Sequence, residues 1–441
     1  MKIITILGAG LSATSLINYL LEHSEKHNWK VKVGDMSVEV AQRKIGNHKN
    51  AEAFYFDVND TSLRKKVIQD ADVVVSMLPA SLHYYIAEDC VSHKTPLFTA
   101  SYVSKEIKAL DQAAKDAGIL LANELGLDPG IDHMSAMKVI DEIRNEGGVM
   151  EGFYSSTGGL VVPECDTNPW HYKFTWNPRN VVLAGQGVAM YIERGIYKYI
   201  PYQQLFERTQ PTTILNYGNF EIYPNRDSLK YRGIYGLESI PTMFRGTIRR
   251  PGYSKAWNIL VQLGCTDDTY IMENTKNMTM RQFTNSFLFF DPDMSVEEKI
   301  VKYFNLDPKG EIMKKLEFIG LFSDEKIGLE NVSPAKVLQN ILEKKWALEE
   351  DDRDMIVMQH RFVYTLNGEK KRKQSSLVVE GKENETSMAI TVGVPLAITV
   401  KLFLTGKLNV TGVHVPTTPE FYTPILQELE NYGVKFIEEE Y

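Results

Sequence analysis

The sequence has few cysteines, and it lacks the spacings that hold disulfides, zinc or an activated nucleophile. Its three cysteines, Cys90, Cys165 and Cys265, form no CxxC pair in 441 residues. Free thiols are typical of a reducing compartment, so we expect a cytoplasmic protein without structural disulfides. The nine histidines show neither HxH nor HExxH spacing, and no GxSxG turn occurs, so we expect no metal and no serine nucleophile.

The chain has no excess of positive charge, and long apolar runs are scarce. The formal net charge is −8, which argues against a nucleic acid or an anionic membrane as the main partner. The basic run Lys370 to Lys373 follows Asn367-Gly368 and predicts a hairpin with a solvated arm. Residues 386–406 are apolar, but Lys401 interrupts them. We expect no run of about 18 residues that spans a membrane, and we expect this segment to be a core helix that packs on the first domain.

A glycine-rich turn opens the chain. The apolar run Lys2 to Leu7 predicts a buried strand, and GAGLSA at 8–13 follows it in the form GxGxxA. Gly8 permits a tight turn, Gly10 lets a pyrophosphate approach the backbone, and Ala13 lets the next helix pack closely. That helix is predicted to bury one side, formed by Leu11, Leu16, Ile17, Leu20 and Leu21. The turn therefore predicts a dinucleotide site at a helix N-terminus.

Strands and helices then alternate over about 120 residues. Further strands are predicted at Lys30–Val33, Ala53–Phe56, Asp72–Leu78, Pro96–Thr99 and Ile119–Ala122. The fold class is therefore α/β, with a Rossmann doubly wound parallel sheet. Ligands bind at the carboxyl ends of such strands. Candidate nucleotide contacts at that edge are Gly8, Gly10, Leu11, Ser12, Ala13, Asp35, Met36, Asp57, Val58, Leu78 and Thr99.

Asp35 carries the cofactor preference. A carboxylate at the end of the second strand accepts hydrogen bonds from both adenosine ribose hydroxyls and repels a 2′-phosphate, so it favours NAD over NADP. The alternative is an ordinary loop aspartate.

The stretch NELGLDPGIDHM at 123–134 joins two kinds of sequence. Asp128-Pro129 predicts a helix start, with Asp128 as N-cap, and the alternative is that Asp128 binds a substrate amine. The helix is predicted to bury Ile131, Met134, Met137, Ile140 and Ile143 and to stop at Gly147-Gly148. Tyr102 is a candidate donor to a substrate carboxylate or reacting nitrogen, or else a packed loop tyrosine. His133 is interpreted as a core histidine.

The remaining chain predicts a mixed α+β substrate domain with a helical insertion. Ser295 and Glu298 form a capping box at the start of one insertion helix. The predicted domains are 1–128 with about 390–441 (dinucleotide-binding), 129–290 with 350–389 (substrate) and 291–349 (insertion). Arginines on this domain look exposed and suited to carboxylates: Arg179, Arg226, Arg245, Arg249 and Arg250.

A series of motifs extends along the chain: GAGLSA at 8–13, VVVSMLP at 73–79, TASYVS at 99–104, NELGLDPGIDH at 123–133, GGL at 158–160, NPWHYKFTW at 168–176, YPNRDS at 223–228, RGTIR at 245–249, RDMIVMQH at 353–360 and SMAITVGVP at 387–395. Several of these motifs are long, and together they resemble those of the glutamate-forming saccharopine dehydrogenases, also called saccharopine reductases.

The resemblance implies NAD(P)-dependent oxidation of saccharopine to glutamate and 2-aminoadipate 6-semialdehyde, or the reverse condensation, in lysine metabolism. It implies a homodimer that associates through the middle domain. The substrate contacts that it implies are Ser101, Tyr102, Asp128, Arg226, Thr247, Ile248 and Arg249. Nucleotide contacts fall at Gly10 to Ala13, Asp57-Val58 and Asn177. Tyr102 and Asp128 are the candidate catalytic residues, and no dedicated base is assigned.

Two departures from the family pattern stand out. The loop Gly34-Asp35-Met36-Ser37 lacks the arginine that fungal members offer to a 2′-phosphate, and Thr157 replaces a cysteine before Gly-Gly-Leu. Two alternatives stay open. One is a carboxynorspermidine-, carboxyspermidine- or lysine-type dehydrogenase on the same fold, whose substrates need fewer arginines. The other is a non-catalytic NAD(P)-binding sensor.

Overall fold

A computed structural model describes the protein over residues 1–383 and 385–441. These residues divide into two compact units. The first unit comprises Met1–Val149 and Leu377–Ile437, and the second comprises Met150–Ser376 and Glu438–Tyr441. The chain therefore leaves the first unit after residue 149, returns to it at residue 377, and leaves it again after residue 437.

The elements of the described residues follow in chain order. The strands are β1 (Lys2–Leu7), β2 (Trp29–Asp35), β3 (Ala51–Tyr55), β4 (Val73–Ser76), β5 (Leu97–Thr99), β6 (Leu120–Ala122), β7 (Val149–Val161), β8 (Val188–Glu193), β9 (Ile196–Pro201), β10 (Gln210–Thr213), β11 (Asn219–Pro224), β12 (Thr242–Arg249), β13 (Asp354–Leu366), β14 (Glu369–Glu380), β15 (Gly412–His414) and β16 (Ile437–Glu440). The helices are α1 (Thr14–His27), α2 (Val38–Ile45), α3 (Thr61–Gln69), α4 (His83–His93), α5 (Lys105–Ala109), α6 (Asp111–Ala117), α7 (Ile131–Asn145), α8 (Pro178–Val182), α9 (Tyr202–Leu205), α10 (Lys230–Ile234), α11 (Tyr253–Leu263), α12 (Met280–Asn285), α13 (Val296–Phe304), α14 (Glu311–Phe318), α15 (Pro334–Lys345), α16 (Ser387–Leu404) and α17 (Pro419–Leu429).

The first unit is built on a seven-stranded sheet in the order β15-β6-β5-β4-β1-β2-β3. Each neighbouring pair is parallel. The last four residues of β1 are fully buried, as expected for a parallel strand covered on both faces by helices. The predicted doubly wound α/β fold is confirmed. The edge strand β15 was not predicted.

Helix α16 belongs to the core of the first unit. It packs against α1, and a Cβ on Gly393 would lie 2.7 Å from the backbone nitrogen of Leu16. The prediction of a core helix that packs on the nucleotide domain is therefore confirmed. The expectation that no segment reaches membrane-spanning length was wrong. Within the described part of the chain, α16 has that length and apolar composition, although 78% of it is buried in the protein.

The second unit contains a mixed sheet in the order β10-β11-β12-β7-β13-β14-β16, with β8 pairing β12 and β9. β7 and β12 are parallel, whereas β11 and β12 are antiparallel. The predicted hairpin turn joins β13 to β14, with φ values of 53° at Asn367 and 82° at Gly368. Positive φ at both central residues suits a tight hairpin turn.

An aromatic cluster forms much of the core beside this sheet. Trp170, Trp257 and Trp346 are fully buried, and the ring centroids of Trp170 and Trp346 lie 5.2 Å apart. Tyr253 stacks on Trp257 at 5.6 Å. Tyr172 packs on Trp346 at 5.1 Å. The cluster thereby fixes two tyrosines that flank Arg249.

The predicted domain boundaries differ from the two units in several places, including residues 377–389, which group with the first unit, and 438–441, which group with the second. Helix α7 groups with the first unit, although the sequence placed residues from 129 onward in the substrate domain. It packs on α17, where the hydroxyl of Tyr422 donates to Asp141 Oδ2 at 2.9 Å. The helical segment 291–349 groups with the second unit. Its predicted capping box is confirmed: Glu298 N–H donates to Ser295 Oγ at 3.2 Å, and Ser295 N–H donates to Glu298 Oε2 at 2.8 Å.

Candidate active site

The glycine turn has the shape that a dinucleotide needs. Gly8 has a φ of 102°, and a Cβ there would lie 3.0 Å from the Met77 carbonyl group, so glycine is required. No atom lies within 4 Å of the position of a Cβ on Gly10, so this face of the turn is open. Ala13 is 1% exposed beneath the start of α1. These residues fit the pyrophosphate of a nicotinamide dinucleotide.

Leu11 does not lie on the packed side of the first helix, as the sequence predicted. It is 77% exposed, because Leu11–Ala13 forms a separate 3₁₀ turn and α1 begins only at Thr14. The exposed Leu11 and the half-buried Ser12 therefore remain at the mouth of the turn.

Asp35 ends β2 and links the glycine turn to the start of α2. Its Oδ2 accepts from the backbone N–H of Ala9 at 2.8 Å, and its Oδ1 accepts from that of Ser37 at 3.0 Å. The carboxylate lies at the edge where this fold binds the adenosine ribose. Met36 beside it is 71% exposed.

The other candidate nucleotide contacts of the first unit follow neighbouring strands. Asp57 and Val58 come after β3, and Leu78 comes after β4. Asp57 Oδ1 accepts from the backbone N–H of Asn59 at 2.9 Å. Thr99 ends β5 with 1% exposure, and its hydroxyl accepts from the backbone N–H of Ser101 at 3.3 Å. The hydroxyl of Thr99 is therefore already used within the protein.

His83 positions the candidate substrate residue Ser101. The His83 Nε2 lies 2.7 Å from Ser101 Oγ, and Nδ1 lies 2.8 Å from Ser76 Oγ. The imidazole is 1% exposed, and burial lowers the pKa of His83 to about 4. The ring is therefore neutral near pH 7. The sequence analysis did not single out His83, although α4 connects β4 to β5 and a crossover helix packs beside the strands that it joins.

Tyr102 and Asp128 meet, although they are 26 positions apart. The Tyr102 hydroxyl donates to Asp128 Oδ1 at 2.9 Å. The prediction that Asp128 caps a helix was wrong. α7 begins at Ile131, and Gly130 occupies the N-cap position with a φ of 149°. The Asp128–Pro129 bond is cis, and the carboxylate accepts from the Tyr102 side chain.

Glu124 and His133 hold the loop that carries Tyr102. Glu124 is 2% exposed, and its Oε2 lies 2.7 Å from Nε2 of the fully buried His133. Glu124 Oε1 accepts from the backbone N–H of Val103 at 3.0 Å. His133 is the core histidine that was predicted. Glu124 was missed as a positioning group, although its place after the sixth strand was a usable signal.

Arg249 of the second unit is a buried cation among tyrosines. It is 4% exposed, and its guanidinium carbon lies 4.9 Å from the Tyr172 ring centroid and 5.3 Å from that of Tyr253. One amine donates to the Ile248 carbonyl at 2.9 Å, whereas Nε has no hydrogen-bond partner among residues 1–383 and 385–441. No carboxylate in this part of the chain pairs with it. The geometry therefore suits a carboxylate ligand.

Thr247 and Ile248 precede Arg249 on β12. Thr247 pairs in register with Tyr223 of β11 and with Thr157 of β7, whereas Ile248 is fully buried. Thr157 Oγ1 is buried and has no hydrogen-bond partner in the described residues.

Arg226 and Asn177, the remaining candidate contacts, lie on loops of the second unit. Arg226 follows β11 with an exposed side chain and a φ of 46°, and its carbonyl accepts from Met190 N–H at 2.9 Å. Asn177 is the N-cap of α8, where its Oδ1 accepts from the backbone N–H of Arg179 at 3.0 Å.

The predicted set of exposed arginines needs a correction. Arg245 and Arg249 are buried at 3% and 4% exposure, because β12 is a central strand. Arg245 stacks 4.3 Å from the Tyr231 ring, and Arg250 stacks 4.3 Å from that of Phe220. Arg179 pairs with Asp268.

Comparison with known proteins places these residues in a family. Residues 4–121 match the saccharopine dehydrogenase NADP binding domain, and residues 126–434 match the saccharopine dehydrogenase C-terminal domain. The chain belongs to the saccharopine dehydrogenase family. The resemblance drawn from its motifs is confirmed.

Relatives from this family are similar over the whole chain. The saccharopine dehydrogenase [NADP(+), L-glutamate-forming] of Schizosaccharomyces pombe is 31% identical, across 100% of this chain and 99% of its own. That of Saccharomyces cerevisiae is 33% identical, across 98% of each. The structure of apo saccharopine dehydrogenase (L-Glu forming) from Saccharomyces cerevisiae superimposes with a TM-score of 0.90 at 32% identity, over all of both chains.

The described residues contain no group of three or more His, Cys, Asp or Glu side chains able to hold a metal ion.

The candidate residues of this saccharopine dehydrogenase fold fall into two sets. The first unit carries the glycine turn with Ser101, Tyr102 and Asp128, and the second carries Arg226 and Arg249.

Proposed function

We propose that this chain is a glutamate-forming saccharopine dehydrogenase. It oxidises the secondary amine of saccharopine on its aminoadipate side, and water then splits the imine into glutamate and 2-aminoadipate 6-semialdehyde. The reverse reaction is a reductive condensation. The two yeast relatives carry this activity in their names, and both align along nearly their full length.

The observation that carries the proposal is the buried guanidinium of Arg249, which pairs with no carboxylate in the described residues. A buried cation without a carboxylate partner is costly unless a ligand supplies one. Saccharopine has three carboxylates, and the Nε of Arg249, beside two tyrosine rings, has no hydrogen-bond partner in the described residues. Arg226 on the loop after β11 supplies a second cation of the same unit.

The candidate residues of the first unit suit the amine groups of the substrate. When bound, the nicotinamide accepts a hydride from the carbon next to the substrate nitrogen. Asp128 binds a substrate ammonium, and Tyr102 donates to Asp128 at 2.9 Å, which fixes the carboxylate. Ser101, held by His83, offers its hydroxyl to the substrate. Positioning of this kind supplies much of the rate of a hydride transfer.

Either nicotinamide dinucleotide fits the turn, and Asp35 favours NAD. A carboxylate at the end of β2 accepts from the ribose hydroxyls and repels a 2′-phosphate. The relatives named above are NADP(+) enzymes, so a preference for NAD distinguishes this chain from them.

We expect Asp35→Ala to weaken NADH binding much more than NADPH binding in a fluorescence titration. An equal loss with both cofactors would remove the basis for NAD.

The test of the activity is direct. Purified protein is mixed with saccharopine and either NAD or NADP, and the absorbance of the reduced cofactor is followed. We expect turnover with saccharopine. Turnover with lysine or a carboxylated polyamine alone would favour a sibling dehydrogenase. Cofactor binding without any turnover would favour a sensor.

Assembly and location complete the proposal. We propose a homodimer formed through the second unit, supported by the exposed apolar residues of the β8–β9 hairpin, where Ile196 and Tyr199 are each 60% exposed. We propose a cytoplasmic location, supported by the free thiols of Cys90, Cys165 and Cys265. Cell fractionation checks the location.

A further inference from the structure

Lys44 is a cation beside the glycine turn, and no described residue supplies it with a counter-charge. It lies partly buried in the last turn of α2, and its Nζ donates to the hydroxyl of Thr14 in the first turn of α1. The Thr14 hydroxyl donates in turn to the Leu11 carbonyl at 3.0 Å. No carboxylate within residues 1–383 and 385–441 forms an ion pair with Lys44.

Other partly buried cations of the same unit do have carboxylate partners. Lys30 pairs with Glu52 at 2.5 Å, and Arg64 pairs with Asp89 at 2.6 Å. Burial alone lowers the pKa of Lys44, because desolvation is not offset by a nearby negative charge. An amine in this position gains most from an anionic ligand.

We propose that the Lys44 ammonium is a ligand for a phosphate group of the bound dinucleotide. Thr14 directly follows the turn Leu11–Ala13, over which this fold binds a pyrophosphate. Asp35, at the ribose position, ends the strand that leads into α2. The phosphate is therefore either the pyrophosphate shared by NAD and NADP or the 2′-phosphate of NADP.

The inference rests on the proposed function only in requiring that a dinucleotide binds this turn. It is tested by titrating the protein with NADH and with NADPH, without amino-acid substrate, and following nucleotide fluorescence. Because no turnover is involved, a failure of saccharopine oxidation leaves this result unaffected, and the reverse also holds. The variants are Lys44→Met, the conservative Lys44→Arg, and Arg43→Met as the matched control. Arg43 is the exposed neighbour on the same helix, so its loss removes the same charge from the outer face.

We expect Lys44→Met to raise the dissociation constant about 10-fold or more, as for a lost charge-assisted hydrogen bond. Arg43→Met should change it less than about 2-fold, and Lys44→Arg should retain most of the affinity. A loss with both nucleotides identifies the pyrophosphate, and a loss with NADPH alone identifies the 2′-phosphate. If Lys44→Met binds both nucleotides as tightly as Arg43→Met does, the proposal is wrong. Circular dichroism checks folding, and Lys44→Gln provides the same comparison if the Met variant unfolds.

Discussion

Arg249 and His83 show how burial determines the role of a single side chain. Both are nearly inaccessible, with exposures of 4% and 1%. Arg249 keeps its charge and lacks a carboxylate partner in the described residues, so it is arranged for a ligand. His83 has both ring nitrogens in hydrogen bonds and is neutral, so it is arranged to hold Ser101. Substitution of Arg249 should therefore impair substrate use, whereas substitution of His83 should change how stability depends on pH.

Arg249→Lys should impair saccharopine use although it keeps the charge. A lysine loses the planar fork that binds a carboxylate through two hydrogen bonds. We expect kcat/KM to fall about 10- to 100-fold, the equivalent of one lost charged hydrogen bond. Steady-state kinetics with saccharopine measures this. Arg250→Lys is the adjacent control, because Arg250 donates to the Tyr217 carbonyl at 2.8 Å and should bind no substrate. Equal losses in both variants would contradict a carboxylate role for Arg249.

His83 should make stability depend on pH. Its folded pKa of about 4 lies below the ordinary value of 6.5, so the unfolded state takes up the proton first. The free energy of unfolding should therefore fall as the pH drops from about 6.5 to 4, by at most about 3 kcal/mol from this group. His83→Asn should flatten that part of the curve, measured by urea unfolding from pH 4.5 to 7.5. Parallel curves for the two proteins would rule out this contribution.

At the scale of elements, close contact between α1 and α16 supports the nucleotide turn. Gly393 lets the helices approach, since a Cβ there would lie 2.7 Å from Leu16 N and 3.2 Å from the Ser12 carbonyl oxygen. Ser12 is part of the turn itself. A change in α16 should therefore reach the cofactor site as well as the core.

Gly393→Ala should destabilise the protein by about 1–3 kcal/mol, because the added methyl group meets backbone atoms that cannot yield easily. It should also weaken NADPH binding, since the Ser12 carbonyl is one of those atoms. Urea unfolding and a fluorescence titration measure the two effects. Gly233→Ala is the control: this helical glycine in α10 has open space, so we expect a change within about 1 kcal/mol. If the two variants are equally stable, the proposed contact does not constrain α16.

At the scale of the whole molecule, the exposed edge strand β9 leaves an isolated chain open to association. Among the described strands β9 pairs only with β8, and its residues Ile196, Tyr197 and Tyr199 are 60%, 49% and 60% exposed. An exposed apolar edge is normally covered by a partner. A second copy of the chain is the partner that we propose.

The double variant Ile196→Lys with Tyr199→Lys should therefore be a monomer, because two desolvated charges oppose the interface. Light scattering after size exclusion measures the mass, with a dimer expected for the unaltered protein. Tyr303→Lys is the control, since Tyr303 is 62% exposed on the helical segment. A monomeric unaltered protein, or a dimeric double variant, would contradict this interface.

Local sequence determined the elements and the cofactor turn. The run Lys2–Leu7, the hairpin at Asn367-Gly368 and the Ser295 capping box were all predicted and found, because each depends on neighbouring residues alone. The family motifs added the candidate site residues, which position along the chain could not bring together. The prediction that Asp128 is an N-cap was wrong. The Asp–Pro pattern is local, and it does not show that a tyrosine from another loop reaches the carboxylate.

Only the tertiary structure decided which polar groups are paired. His83 meets Ser101 and Lys44 meets Thr14 because strand order places α4 and α2 beside the sheet's carboxyl edge. Arg249, which the sequence treated as exposed, became a buried cation because β12 lies within the sheet. A sequence carries the identity and local spacing of charges. Desolvation and pairing depend on long-range packing, and these decide whether a charge is a surface group or a ligand for substrate.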